Sequence, residues 1–244
     1  MAIDNMDVIS EDGTLVEEDT QSERATSSPT QPKTVNALSP GQERKLVDYL
    51  EERFLDITRN FKKRADPSSS LPTLPAYLEA THHLLSLILQ VPPVDPSAPL
   101  RTTLLLRLTG DVLAAVPGYV PTLDVLPLLL SWLADLDAGW LAVLRSQAWD
   151  PTSSTAVDAR LPEGARASTP SQTERTRLRS LLIGGTDALE EWLERLDTSG
   201  AGFEMVLEKV GMEQAFNELF AGTLAEMGSL TGALNDPRGM EAAC

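Results

Sequence analysis

Two aspartates stand two residues apart in "SWLADLDAGWLAVLRSQAWD", Ser131 to Asp150, and carboxylates so close together are the first place to look for acid–base or metal chemistry. On a helix, a two-residue step turns the chain by about 200°, so Asp135 and Asp137 diverge and cannot hold one substrate or one ion between them. Through the same stretch Leu129, Trp132, Leu133, Leu136, Trp140, Val143 and Leu144 recur at steps of three and four. That spacing predicts an amphipathic helix with the aspartates on its wetter border.

The two histidines are no better placed for chemistry. His82 and His83 are adjacent, pointing about 100° apart on a helix, whereas helical metal ligands recur at i, i+3 or i, i+4. Glu79 stands four before His83, but one glutamate and one histidine do not make a metal site. The one cysteine, Cys244, is the last residue. It can form no disulfide within the chain and lacks the three following residues that prenylation requires, so a free exposed thiol is expected. No G-x-S-x-G occurs, and "LLIGGTDAL" at 181–189 has neither the lysine nor the preceding strand of a phosphate loop. No enzymatic activity, metal or cofactor is expected. An enzyme would have to bring His82 or His83 within hydrogen-bond reach of carboxylates distant in sequence.

The elements that carry these residues follow from composition and period. The chain has 244 residues, 42% apolar but only 5% aromatic, so leucine and valine must fill its core. Residues 1–38 carry eight acidic and two basic side chains among Ser, Thr and Gln, with Leu15-Val16 as a brief apolar moment. This composition predicts a disordered acidic tail. Order is expected from Ser39, an N-cap with Pro40 at the first helical position and Gln42 completing a capping box. Leu46, Leu50, Phe54, Ile57 and Phe61 then make the apolar stripe of a first helix.

Three strongly apolar segments follow: 74–91 from a Thr73 cap, 99–116 after Ser97, and 122–149, which stops at Asp150-Pro151. Residues 150–170 read as a flexible linker or insertion between an N-terminal helical unit, 39–149, and a C-terminal unit, 171–234, that packs on it. The second unit opens at Thr169-Pro170 or at Ser171 with Glu174, and Gly184-Gly185 predicts a kink. Residues 235–244 read as a frayed tail. Without sustained alternation anywhere, the fold class is all-α, an irregular bundle of about six to seven helices.

Charge narrows the partners. The formal net charge is −16, which repels phosphate backbones and anionic lipid surfaces, so direct nucleic-acid or membrane binding is not expected and basic proteins are the fitting partners. The acidic N-terminus and the lack of a long uncharged apolar run predict a cytoplasmic or nuclear protein, neither secreted nor transmembrane. Composition leaves the oligomeric state open. The densest basic cluster, Arg59, Lys62, Lys63 and Arg64, is a candidate import signal or nucleic-acid contact, and equally the cationic end of a helix. Two LxxLL matches, 126–130 and 178–182, read as core leucines. An acidic rim runs from Glu190, Glu191 and Glu194 through Glu204, Glu208, Glu213, Glu218 and Glu226.

The expected function is a non-enzymatic helical interaction protein, a subunit, adaptor or assembly factor of an intracellular eukaryotic complex. Trp132, Trp140, Trp149, Trp192, Phe216 and Phe220 are its candidate partner anchors, because large aromatics dominate many interfaces. The alternative is a nuclear, chromosome- or transcription-associated factor that uses the 59–64 cluster.

Overall fold

The computed structural model describes residues 34–196 and 202–234, with side chains described as far as Gly228. Residues 1–33, the 235–244 tail and Cys244 lie outside them. Within the described residues the chain is all-α: α1 Pro40–Lys62, α2 Leu74–Leu89, α3 Ala98–Ala115, α4 Leu126–Leu144, α5 Gln172–Leu193, α6 Phe203–Lys209, α7 Glu213–Asn217 and α8 Ala221–Leu234. Short 3₁₀ turns follow α3 at Val116–Gly118 and α5 at Glu194–Leu196.

The caps explain where these helices begin. Ser39 and Gln42 form the reciprocal capping box at α1, and Ser171 with Glu174 does the same at α5. Thr73 caps α2. Ser97 does not cap α3; its hydroxyl is buried and accepts the backbone N–H of Leu38 at 2.9 Å. Residues 34–38, read above as the end of the tail, are thereby held against the turn before α3, and Val35 N–H donates to Arg160 O at 3.0 Å.

Residues 148–157 differ from the all-helical expectation. Ala148–Asp150 (β1) and Thr155–Val157 (β2) form an antiparallel hairpin. Strands of three residues are too short to show alternation, and a side chain closes the turn: the Asp150 carboxylate accepts Thr152 N–H at 2.9 Å and the Ser153 hydroxyl at 2.8 Å. Those hydrogen bonds hold the Asp150 carboxyl below its ordinary pKa. The rest of the predicted linker is tied down as well, with Asp95 N–H bound to Arg166 O at 3.1 Å.

One apolar core runs through the helices on both sides of this segment, from Leu50 and Phe54 on α1 to Phe216, Phe220 and Met227. Each fully buried leucine in it contributes about 1.5–3 kcal/mol. The turn after α3 joins the two parts. Gly118 O accepts Arg64 Nε at 2.9 Å, Pro117 O accepts Arg195 Nη2 at 2.9 Å, and Tyr119 O accepts Trp192 Nε1 at 2.8 Å. Phe61, Tyr77 and Tyr119 stack around it with ring centroids 5.6–5.8 Å apart.

Two glycines differ from their sequence reading. α5 runs unbroken through Gly184-Gly185, and the reason is packing: a Cβ on Gly185 would sit 2.5 Å from Leu113 Cδ1 on α3. Gly185 is there for close helix approach. Helix α4 has the length and apolarity of a membrane span by composition, yet Leu126, Leu129, Trp132, Leu133, Leu136 and Trp140 are buried in this core.

Candidate functional site

Helices α2 and α4 run in the same direction along their contact. His82 meets Asp135, with Nε2 3.0 Å from Oδ2, and one further stretch along both helices Leu89 reaches the position a Gly139 side chain would fill. On the N-terminal side of the His82–Asp135 pair the helices leave a cleft of about 400 Å³. Its walls are two matching stripes: Pro75, Leu78, Glu79 and His82 from α2, and Leu128, Ser131, Trp132 and Asp135 from α4. Both follow i, i+3, i+4, i+7, the residues that one helical face presents over two turns.

The chemistry of this cleft is mixed. Leu128 is 45% exposed, whereas Trp132 beside it is 3% exposed and its indole N–H has no acceptor. A buried donor without a partner costs about 1–3 kcal/mol relative to a satisfied one. The His82 and Asp135 side chains are each 45% exposed, which places their contact among the solvent-screened surface pairs worth about 0–1 kcal/mol. A histidine oriented by a carboxylate is half of an acid–base arrangement. Among the described hydrogen bonds, no hydroxyl or thiol meets the ring. Ser131 stands one turn before Asp135 but is not bonded to His82. Among the described residues, no three His, Cys, Asp or Glu side chains converge as a metal would require.

The aspartates of D-x-D part as their spacing requires, but Asp137 does not end in solvent. Its Oδ1 accepts Thr223 N–H at 3.0 Å in the first turn of α8, and its carbonyl accepts the Thr223 hydroxyl at 3.3 Å. Asp137 therefore caps a helix 86 residues away. Gly222 admits it, since a Cβ there would lie 2.8 Å from Asp137 Oδ2.

The expected partner anchors are mostly core. Trp132, Trp140, Trp192, Phe216 and Phe220 are buried within this chain, and Trp149 is half-buried on β1. Trp140 Nε1 donates to Thr109 Oγ1 at 3.0 Å, which itself bonds Leu105 O, so this indole is fully satisfied inside. Buried side chains offer no surface to a partner; with so few aromatics, the fold uses them to fill its interior. Both LxxLL segments turn inward too, with Leu126, Leu129, Leu178 and Leu182 buried.

In the basic cluster, Arg59, Lys62 and Lys63 are exposed, while Arg64 is committed to the fold. Its guanidinium lies 4.6 Å from the Phe61 ring centroid and bonds Gly118 O. Sequence reasoning also passed over Arg101, an apparently ordinary cation on α3. It is 1% exposed, donates Nη1 to Gln147 O at 2.7 Å, and leaves Nε and Nη2 without partners. Burial lowers its pKa to about 10. The chain matches no protein-family profile, no curated protein and no solved structure.

Proposed function

We propose that this chain is a non-enzymatic helical interaction protein, acting as a subunit, adaptor or assembly factor of an intracellular complex, and that the α2/α4 cleft is its docking face. The observation that carries the reading is the pair of matched stripes, which leave open a two-turn trough with half-exposed Leu128. Clefts between helices are common seats for amphipathic segments. The half-exposed His82–Asp135 pair, to which no hydroxyl or thiol is bonded among the described residues, supports recognition over catalysis.

Because one core runs through both parts of the chain, isolated halves would expose apolar surface, and the experiment needs the full-length protein. Tagged at its native expression level and purified under mild crosslinking, it is expected in a complex of defined stoichiometry, and Leu128→Glu is expected to release the partner. A chain that elutes as a free monomer with no crosslinked partner overturns the reading.

A further inference from the structure

The cleft between α2 and α4 is chemically polarised along its length. Pro75 and Leu128 make one end apolar, Glu79 stands one turn further along α2, and the bonded pair His82 and Asp135 closes the other end. Among the described residues, no lysine or arginine lines it. Resting on the interaction reading above, we propose that the cleft takes an amphipathic α-helix of a partner protein, with an apolar side chain against Pro75 and Leu128 and a lysine or arginine between Glu79 and Asp135. The two stripes each span eight residues, seven steps of 1.5 Å or roughly 10 Å of helix, so the apolar anchor and the cation sit one to two turns apart on the incoming helix.

Charge selects this occupant over the others. A second copy of the chain would bring the same carboxylates and a further net charge of −16. The chain's own first 38 residues carry eight acidic side chains against two basic ones. Phosphate backbones and anionic lipid heads meet the same repulsion. A basic helix is instead drawn in by the field of the whole molecule and then paired locally.

The test is a helix-constrained peptide library displayed on phage, with one leucine fixed and the position one turn away varied among Lys, Arg, Gln and Glu, panned against the full-length protein. Lysine and arginine sequences are expected to enrich. A synthetic peptide of the enriched sequence is expected to bind about tenfold more weakly to the E79Q/D135N double variant, with unchanged urea stability, and to weaken as salt is raised. Leu128→Ala, a second surface change, is expected to weaken it as well. Enrichment of acidic or uncharged helices, no enrichment, or binding indifferent to E79Q/D135N overturns the proposal. A stoichiometric complex from cells that survives both E79Q/D135N and Leu128→Glu would leave the chain an interaction protein and remove the cleft as its docking place.

Discussion

His82 and Asp135, 53 residues apart in sequence, close one end of the α2/α4 cleft with Nε2 3.0 Å from Oδ2. The contact exists because α2 and α4 lie side by side in the same direction although α3 intervenes between them in the chain. Asp137, two residues on, faces α8 instead. The same short stretch of α4 thus serves a surface cleft on one side and a helix cap on the other.

Substituting the two aspartates should separate these roles. Asp137→Ala removes the acceptor of Thr223 N–H and is expected to cost about 0.5–2 kcal/mol, the range of a lost N-cap. Hydrogen exchange should quicken in α8 while α1 to α3 keep their protection. Asp135→Ala, which loses only a half-exposed hydrogen bond to His82, should leave α8 exchange unchanged.

Neighbouring glycines on α5 should respond with opposite signs. Gly185→Ala places a methyl 2.5 Å from Leu113 Cδ1 and should destabilise by about 1–3 kcal/mol, as overpacking does. Gly184→Ala meets nothing within 4 Å and should stabilise by about 0.5–1 kcal/mol, the helical preference of alanine over glycine. Urea denaturation of the two single variants measures both.

Three buried tryptophans form a graded series. Trp192 donates to Tyr119 O and Trp140 to Thr109 Oγ1, whereas the Trp132 N–H has no acceptor. Replacement by phenylalanine removes ring volume at all three sites. It orphans a buried acceptor at Tyr119 O, which should add about 1–3 kcal/mol there. Trp132→Phe is expected to be the least costly of the three by urea midpoint.

Stability at alkaline pH should be a contest between two buried phenols and one buried guanidinium. Burial raises the pKa of Tyr77 and Tyr119 from 10.0, with the Asp111 carboxylate adding to the rise at Tyr77; Tyr119 reaches about 12. Above pH 10 the unfolded chain therefore loses phenolic protons that the folded chain keeps, and stability falls as pH rises. Arg101 acts the other way. Its pKa is lowered from 12.5 to about 10, so between those values the unfolded chain holds the extra proton and stability rises with pH. Urea midpoints between pH 9 and pH 11.5 should fall less steeply for Tyr119→Phe and more steeply for Arg101→Met than for the wild type.

The end of α4 stores a small strain. Ser146 adopts φ +52° and its buried hydroxyl has no partner. Glycine accepts that backbone without a Cβ penalty and removes the orphaned oxygen. Ser146→Gly is expected to raise thermal stability, with a gain of about 1 kcal/mol by urea unfolding.

Local physics wrote much of this fold into the sequence. Ser39, Pro40 and Gln42 define the start of α1 through bonds that reach only three residues, and Thr73 and Ser171 act the same way. Leucines at steps of three and four mark the buried faces, and the angular step of a helix alone parts Asp135 from Asp137. What each of those side chains then meets was beyond such reasoning. The D-x-D spacing cannot say that Asp137 caps α8, that His82 lies across from Asp135, or that Gly185 makes room for Leu113. Nor can it say that Trp140 and Trp192 are satisfied inside while Trp132 is not. Caps and periodic faces depend on neighbours within one or two turns, so sequence by itself determined them. Pairings between helices depend on how whole faces pack to fill space, and only the tertiary structure decided which buried tryptophan is left without an acceptor, and where the cleft opens.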